Sequence, residues 1–258
     1  MSLAGAFLER VMPRVIWRRR IRTWKFETGE SEVRLLPLLV DRARAAIDVG
    51  AADGAYTVAL IQLAARVVAF EPIPAKAKLL RGLFTRTKFV TVHEVALSDC
   101  HGEVTLRIPH DFPWRSTVEL SNKLEGRNEI DKVVVKRETL DSFGITDVGF
   151  MKIDVEGHEF ATLLGATKTI ARDRPNILVE IEERHRPGAI CSVQHLLEQA
   201  GYQGCFLLEG QLKPLSEFDQ ASHQDRSRLD NDGRPTGVYV NNFIFVPKEI
   251  FHQFRGSH

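Results

Sequence analysis

The chain has 258 residues, of which 43% are hydrophobic and 27% are charged, and its formal net charge is +1. These values are typical of a soluble globular protein with one large core, and they give no overall attraction to nucleic acid or anionic lipid. Three separated cysteines and the lack of an apolar run of roughly 18–20 residues exclude a disulfide framework and a transmembrane helix, and predict a cytoplasmic location.

The first 28 residues predict a basic amphipathic helix. Apolar residues at helical spacing alternate there with arginines from Arg10 to Arg22. Such a helix could pack on the domain as a cap with its arginines in water, or contact a membrane surface or an acidic partner. A second helix is predicted from Glu32 to Arg44. Residues 1–44 are therefore assigned to an N-terminal helical cap, and residues 45–258 to the main domain.

The next part of the chain alternates strand and helix patterns. Strands are predicted around Ile47 and Val49, from Arg66 to Phe70 and from Phe89 to Val95, with helical patterns between them. This alternation predicts an α/β fold, a doubly wound and mostly parallel sheet with helices on both faces. Right-handed crossovers bring the carboxyl ends of parallel strands to one edge. The residues expected at that edge are Gly50, Glu71, Ser98 and Asp154.

A glycine-containing turn after the first strand predicts a nucleotide-type cofactor site. The pattern is Asp48-x-Gly50-x-x-x-Gly54, between a strand and a helix. Gly50 permits a close approach of the backbone to a ligand, and the following helix presents free N–H groups. Glu71 lies at the end of the next strand, where a carboxylate accepts hydrogen bonds from a ribose diol. Ser98 and Asp99, predicted to end the third strand, are expected to border an adenine.

The composition of this turn distinguishes between two cofactors. A dinucleotide loop has a glycine that admits the pyrophosphate, and Ala52 occupies that position here. Asp48 and Asp53 surround the turn with negative charge, which repels phosphate but suits a sulfonium and an ammonium group. The turn therefore favours S-adenosylmethionine over NAD. Both cofactors stay open at this point, and an NAD-dependent oxidoreductase is the alternative function.

The alternation of strand and helix patterns is interrupted over about residues 103–138, which are predicted to form an inserted hairpin. Strands from Glu103 to Ile108 and from Lys132 to Arg137 flank a polar, irregular segment. Long loops at such an edge often contact the substrate, so residues 111–131 are expected to cover the acceptor. The candidate acceptor contacts on this segment are Trp114, whose flat face could stack on a sugar ring, and the donors Arg115, Asn122 and Arg127.

The stretch from Phe150 to Glu159 combines a strand pattern with charged residues at its end. Asp154, Glu156 and His158 follow the strand directly and are the candidate catalytic residues. In open α/β sheets ligands bind outside the carboxyl ends of the strands, which favours a site here. The structural alternative is an acidic turn that caps the next helix.

The last part of the chain predicts one helix from Val193 to Ala200 and two strands, from Asn176 to Ile181 and from Val238 to Val246. Glu180 and Glu182 are expected on one side of the first of these strands, as candidate acceptor contacts. With Asp154, Glu156 and either His185 or His158 they offer an alternative, a site for a divalent metal and metal-assisted chemistry. No H-x-x-x-H or H-E-x-x-H spacing supports that alternative.

Several motifs in a fixed order resemble those of the FkbM-type methyltransferases, over roughly residues 45–185. They are Ile47-Asp-Val-Gly-Ala-Ala-Asp-Gly, Phe70-Glu-Pro, Ala96-Leu-Ser-Asp, Thr139-Leu-Asp, Lys152-Ile-Asp-Val-Glu-Gly-His-Glu, Gly165-Ala and Ile177-Leu-Val-Glu-Ile. The family's loop commonly has asparagine where this chain has Ala52. The resemblance implies a Rossmann-like class I methyltransferase domain, S-adenosylmethionine as donor, and O-methylation of a glycan, polyketide or similar metabolite.

Methylation of an alcohol suggests roles for the residues around Asp154. An alcohol is a poor nucleophile until a base removes its proton, and two close carboxylates raise the pKa of one of them. Asp154 or Glu156 is therefore the predicted base. His158 is the alternative base, and positioning without any base is a further alternative. The expected partner is a glycan or small-molecule acceptor, and no nucleic acid is expected.

Overall fold

The computed structural model describes residues 31–125, 129–230 and 234–254. The predicted basic helix over residues 1–28 and the predicted donor Arg127 lie outside these ranges. The helix expected from Glu32 to Arg44 is wrong, because a 3-10 helix and a four-residue α-helix end at Leu39. Val40 is already extended, and the Asp41 side chain accepts a hydrogen bond of 2.9 Å from the Ala43 N–H. This local side-chain hydrogen bond stabilises a turn in place of a helix.

In chain order the strands are β1 (Ala45–Val49), β2 (Arg66–Phe70), β3 (Val90–His93), β4 (Ala96–Leu97), β5 (Gly102–Pro109), β6 (Ile130–Glu138), β7 (Val148–Ile153), β8 (Asn176–Glu180), β9 (Tyr202–Leu208), β10 (Gln211–Pro214) and β11 (Asn242–Pro247). The helices are α1 (Leu36–Leu39), α2 (Ala55–Leu60), α3 (Pro74–Phe84), α4 (Glu159–Leu164), α5 (Thr167–Asp173), α6 (Ala189–Gln199) and α7 (Gln220–His223). None of these helices is long and apolar enough to cross a membrane.

An eight-stranded sheet organises the described chain, in the order β10-β9-β11-β8-β7-β1-β2-β3. The strands from β8 to β3 pair in parallel, whereas β11 runs antiparallel to both β8 and β9. Alternate residues of β1 enter different cores, since Ile47 packs with Ile153 and Ala46 packs with Phe150. The sheet is therefore covered on both faces, which confirms the predicted Rossmann-like, mostly parallel fold.

A small second sheet lies beside the main one, in the order β4-β6-β5. β5 and β6 form the predicted antiparallel hairpin, and β4 pairs with β6 in parallel. The third strand expected from Phe89 to Val95 is shorter in the structure, because β3 ends at His93 and the chain crosses to the second sheet. Ser98 therefore follows a strand of the second sheet, and this corrects the prediction that it ends the third strand of the main sheet.

Three further elements differ from the sequence predictions. The helix expected after the central motif is divided into α4 and α5 at Gly165, where a Cβ atom would lie 1.9 Å from the Ser98 carbonyl oxygen. The β9–β10 hairpin has no counterpart among the predicted elements. β11 begins at Asn242, later than the predicted Val238.

Candidate active site

The carboxyl ends of β1, β2 and β7 meet at one edge of the main sheet. Val49 pairs with Phe70 on one side and with Ile153 on the other, so the residues that follow these strands are neighbours. Gly50 has a φ of 77°, and a Cβ atom on it would lie 1.8 Å from the Asp154 carbonyl oxygen. Only glycine fits this contact, which holds the turns after β1 and β7 together.

Glu71 is buried at the end of β2 and fixes the turn after β1. One carboxylate oxygen accepts a 2.7 Å hydrogen bond from the Ala52 N–H, and the other accepts a 2.8 Å bond from the Ile73 N–H. Burial raises the pKa of Glu71, and the two backbone donors counter this effect. A carboxylate has about four lone-pair sites, so two backbone bonds leave Glu71 capacity to accept further hydrogen bonds.

Asp48 lies on β1 with its side chain buried, and it accepts a 2.5 Å hydrogen bond from the Thr57 hydroxyl. Burial raises the pKa of Asp48 to about 6, although Thr57 and the positive charge of Lys152 oppose the shift. Lys152 is itself buried on β7, 3.1 Å from the Asn242 side-chain oxygen and 3.7 Å from Glu180. Asp48 and Lys152 thus place two opposite charges beneath the cleft.

A cleft at this edge has three connected parts that all share Glu156. The apolar part lies over Glu71 and is lined mainly by Ile73, Val95, Ala96, Leu97, Leu106 and Val118. The central part has a volume of about 450 Å³ and includes Asp48, Gly50, Asp53, Tyr56, Lys152, Asp154 and Glu180. The polar part has a volume of about 190 Å³ and includes Arg115, Asn122, Lys123, Arg184, His185 and Arg226.

Glu156 lies in the turn between β7 and α4, where the three parts of the cleft meet. Its φ of 55° is in the left-handed region, which is uncommon for a residue with a side chain. Its Oε2 atom is buried, and no donor in the described ranges forms a hydrogen bond with it. His185 Nδ1 lies 3.2 Å from Oε2 outside hydrogen-bond geometry, and burial lowers the pKa of His185 to about 4, so this imidazole is neutral near pH 7.

The carboxyl group of Glu156 binds a proton more tightly than an exposed glutamate does. Burial is the main cause that raises its pKa well above the ordinary value, and the charges of Asp154 and Glu182 add to it. Arg184 and Arg115 oppose the shift. A carboxyl group of this kind exchanges a proton closer to neutral pH than an exposed glutamate does.

His158 is held by hydrogen bonds at both ring nitrogens. Its Nε2 is 2.9 Å from the Ser98 hydroxyl, and its Nδ1 is 3.3 Å from the Glu119 carboxylate. Ser98 also donates a 3.0 Å bond to Asp99, which the Cys100 thiol contacts as well. Burial lowers the pKa of His158, and the contact with Glu119 counters this. These contacts link the end of β4 to the inserted segment through the imidazole.

The other predicted site residues occupy different positions. Trp114 is 48% exposed and lines the apolar and central parts, and Arg115 lines the polar part. Ser98 and Asp99 do not line the described cleft. Gly54 immediately precedes α2, and a Cβ atom on it would lie 2.7 Å from the Leu80 side chain.

Glu180 and Glu182 do not share one strand, because β8 ends at Glu180. Glu180 faces Lys152 in the central part and accepts a 2.7 Å bond from the Asn241 amide. Glu182 is buried, and it accepts hydrogen bonds from Arg184, which lines the polar part of the cleft, and from the Tyr239 hydroxyl. Although burial opposes ionisation, the hydrogen bond and charge of Arg184 hold the pKa of Glu182 below its usual value.

The sequence alone did not assign a site role to Tyr56, Thr117, Glu119 or Lys152. Thr117 and Glu119 belong to the inserted segment and contact residues about 40 positions away in the chain. No local pattern indicates such contacts. In the described ranges no group of three or more His, Cys, Asp and Glu side chains is arranged to hold a metal ion.

Comparisons with known proteins find a family that matches the part of the chain that contains most of this cleft. The model of the FkbM methyltransferase domain matches residues 48–203. The structure of the FkbM methyltransferase from Methylobacillus flagellatus KT has 14% identity and a TM-score of 0.51, over 93% of this chain and 60% of that chain. The present chain thus spans about 60% of the length of that relative, and the likeness shows a shared fold.

Two further solved structures have lower scores. An S-adenosylmethionine-dependent O-methyltransferase from Thermotoga maritima has 13% identity and a TM-score of 0.45, over 90% of this chain and 71% of that chain. An O-methyltransferase from Bacillus cereus in complex with S-adenosylhomocysteine has 14% identity and a TM-score of 0.45, over 95% and 96% of the two chains. No curated protein sequence matches the chain.

Proposed function

The chain belongs to the FkbM methyltransferase family, with S-adenosylmethionine as the methyl donor, and we propose that it methylates a hydroxyl group of a glycan, polyketide or similar metabolite. The observation that carries the choice of a hydroxyl is Glu156, a buried carboxyl group with an unpartnered oxygen at the junction of the cleft. A hydroxyl acceptor needs a base, and this carboxyl group is placed to act as one.

The residues of the cleft fit S-adenosylmethionine. Gly50 keeps the first turn free of a side chain, and Glu71 retains acceptor sites that suit a ribose diol. The apolar part of the cleft beside Glu71 suits an adenine ring. The central part contains both Asp48 and Lys152, whose charges complement the ammonium and carboxylate of an amino acid. When bound, the donor supplies an electrophilic methyl group on a sulfonium.

Glu156 is the proposed base. It would accept the hydroxyl proton while the acceptor oxygen bonds to the methyl carbon and the bond from that carbon to sulfur breaks. Because burial favours the protonated carboxyl, proton uptake is easier for Glu156 than for an exposed glutamate. Its position beside the polar part of the cleft supports an acceptor held there, with Arg115 as the proposed donor. Trp114 is proposed to stack on the acceptor.

His158 is less suited to the role of base. Both of its ring nitrogens contact other side chains, Ser98 and Glu119, so neither faces the cleft without a partner. We therefore assign His158 a positioning role. Asp154 also lines the cleft, and its charge contributes to the raised pKa of Glu156.

The test is methyl transfer from radiolabelled S-adenosylmethionine to a panel of oligosaccharides, nucleotide sugars and polyketide alcohols. With the best acceptor, Glu156→Gln should lower the single-turnover rate by about 10²–10⁴ and leave donor affinity within twofold. Asp154→Asn and His158→Ala are measured beside it. Methyl transfer to nitrogen or carbon acceptors alone, or an unchanged rate for Glu156→Gln, would contradict the proposal.

We also propose a cellular location and a class of partner for this protein. The described cysteines are free, and Cys205 is buried in the core, which supports a reducing compartment such as the cytoplasm. A glycan or small-molecule acceptor is proposed as the partner, without nucleic acid.

A further inference from the structure

We propose that Thr117 and Asn122 are positioning residues that hold the carboxyl group of Glu156 in the cleft. Both belong to the segment between β5 and β6, and neither was placed near Glu156 by the sequence. The inference rests on the proposed function, in which Glu156 is the base.

Two side-chain donors of this segment converge on one backbone atom. The Thr117 hydroxyl donates a 2.8 Å hydrogen bond to the Glu156 carbonyl oxygen, and the Asn122 amide donates a 2.9 Å bond to the same oxygen. Thr117 is 1% exposed and Asn122 is 4% exposed, so water does not compete for these bonds. The carbonyl is therefore held in a single orientation.

The conformation of Glu156 explains why such bonds are needed. Glu156 has a left-handed conformation, which is strained for a residue with a Cβ atom and persists only when the surroundings enforce it. The next residue, Gly157, has a φ of 106° and lies between Glu119 and His185, each 3.2 Å from where its Cβ would be. The turn is thus held from both sides, and its backbone determines where the Glu156 side chain points.

The segment that supplies the donors is itself anchored. Arg107 on β5 donates to the backbone carbonyls of Glu119 and Asn122, the latter at 2.7 Å. Glu119 also contacts His158 in the same turn. The second sheet, through Arg107, therefore supports the donors that fix Glu156. A displacement of about 1 Å in a reacting group can lower a rate by about 10²-fold, so this support bears on catalysis.

The structure offers variants that test the two donors. Thr117→Val removes the hydroxyl, which also accepts a 2.9 Å bond from the Glu119 N–H, and Thr117→Ser keeps both bonds. Asn122→Asp keeps the oxygen that accepts from the Leu124 N–H at 3.1 Å and loses the donor. Ser121→Ala is the matched control, because its hydroxyl contacts Glu119 and the His185 carbonyl and does not contact Glu156. Thermal midpoints establish that each variant is folded.

Thr117→Val and Asn122→Asp are expected to lower kcat by about 10–100-fold, with donor Kd and acceptor KM within about twofold. Thr117→Ser and Ser121→Ala should stay within about threefold of wild type. In a double-mutant cycle, Thr117→Val should cost less than about threefold in the Glu156→Gln background, because the base is already absent. A second measurement needs no acceptor. In ¹³C NMR spectra of the protein with labelled glutamates, the Glu156 signal is the high-pKa signal that is missing in Glu156→Gln. The pKa reported by this signal should move towards the ordinary range in Thr117→Val.

The outcomes distinguish the inference from the proposed function. Wild-type kcat in both Thr117→Val and Asn122→Asp, with Glu156→Gln slow, overturns the inference and leaves the base in place. An equal loss for Thr117→Val in both backgrounds, or an unmoved glutamate signal, also overturns it. An unaffected rate in Glu156→Gln removes the base and the inference together.

Discussion

At the scale of single residues, the candidate site depends on carboxylates whose surroundings differ. Glu71 is satisfied by two backbone donors, Glu182 is paired with Arg184, and Glu156 has an oxygen without a partner. Burial acts on all three, yet only Glu156 combines a raised pKa with a buried oxygen that has no hydrogen-bond partner, in a residue that lines the cleft. Hydrogen-bond partners therefore distinguish the proposed base from the other two carboxylates more clearly than burial does.

Glu71→Ala is predicted to weaken binding of S-adenosylmethionine by about 1–3 kcal/mol, or roughly 5–150-fold in Kd. The variant removes the proposed ribose acceptor and also leaves the Ala52 and Ile73 N–H groups without their side-chain acceptor. Isothermal titration measures the affinity, and Glu103→Ala, an exposed carboxylate on β5, is the control. An unchanged Kd for folded Glu71→Ala would contradict the assignment.

At the scale of elements, the inserted segment between β5 and β6 connects the second sheet to the turn after β7. It contributes Trp114 to the wall of the cleft and Thr117 and Asn122 to the turn. A Cβ atom on Gly165 would lie 1.9 Å from the Ser98 carbonyl oxygen. The junction of α4 and α5 therefore packs directly against the residue that follows β4, the first strand of the second sheet. The insertion is thus part of the site and contacts its central turn directly.

Trp114→Ala is predicted to raise the acceptor KM by about 5–10-fold and to leave donor affinity unchanged, because a half-exposed aromatic face would no longer stack on the acceptor. Leu120→Ala is the matched control, since Leu120 is a more exposed apolar residue of the same segment and does not line the cleft. Steady-state kinetics with the best acceptor of the panel provide the measurement. A change in donor Kd without a change in acceptor KM would place Trp114 in the cofactor site.

At the scale of the whole molecule, buried carboxyl groups at the active-site edge lower the free energy of unfolding at neutral pH. Burial raises the pKa of Asp48 to about 6 and that of Glu159 to about 7, so both groups bind protons more tightly in the folded state than in the unfolded state. Their contribution to stability is therefore complete at low pH and is lost as the pH rises through the folded pKa values. Such a cost is expected where a cleft keeps charged groups away from water.

Asp48→Asn is predicted to gain stability relative to wild type as the pH rises from about 4 to about 7, by up to about 3 kcal/mol. Asparagine can still accept the Thr57 hydrogen bond, and it does not pay for an ionised buried carboxyl. Urea unfolding of both proteins across this pH range measures the difference. A difference that stays constant with pH would show that Asp48 titrates alike in the folded and unfolded states.

Local pattern and chain order were enough to predict the parallel sheet of this protein and several residues of its candidate site. Alternating strands and helices predicted the parallel sheet, and parallel strands with right-handed crossovers predicted that Gly50, Glu71 and Asp154 would meet at one edge. The motif residues Asp48, Glu71, Asp154 and Glu156 all line the observed cleft. These results were accessible because each depends on residues that are close in sequence or on a general rule of sheet topology.

Which of the charged side chains contact one another could be seen only in the tertiary structure. The departure of the chain after His93 into a second sheet moved Ser98 towards His158, and β8 ended before Glu182, so two predicted neighbours acquired different partners. The contacts of Thr117 and Asn122 with Glu156 span 39 and 34 residues. Burial and hydrogen-bond partners depend on such long-range packing, and for that reason the sequence could not show which of the two carboxyl groups has the raised pKa or which residues position it.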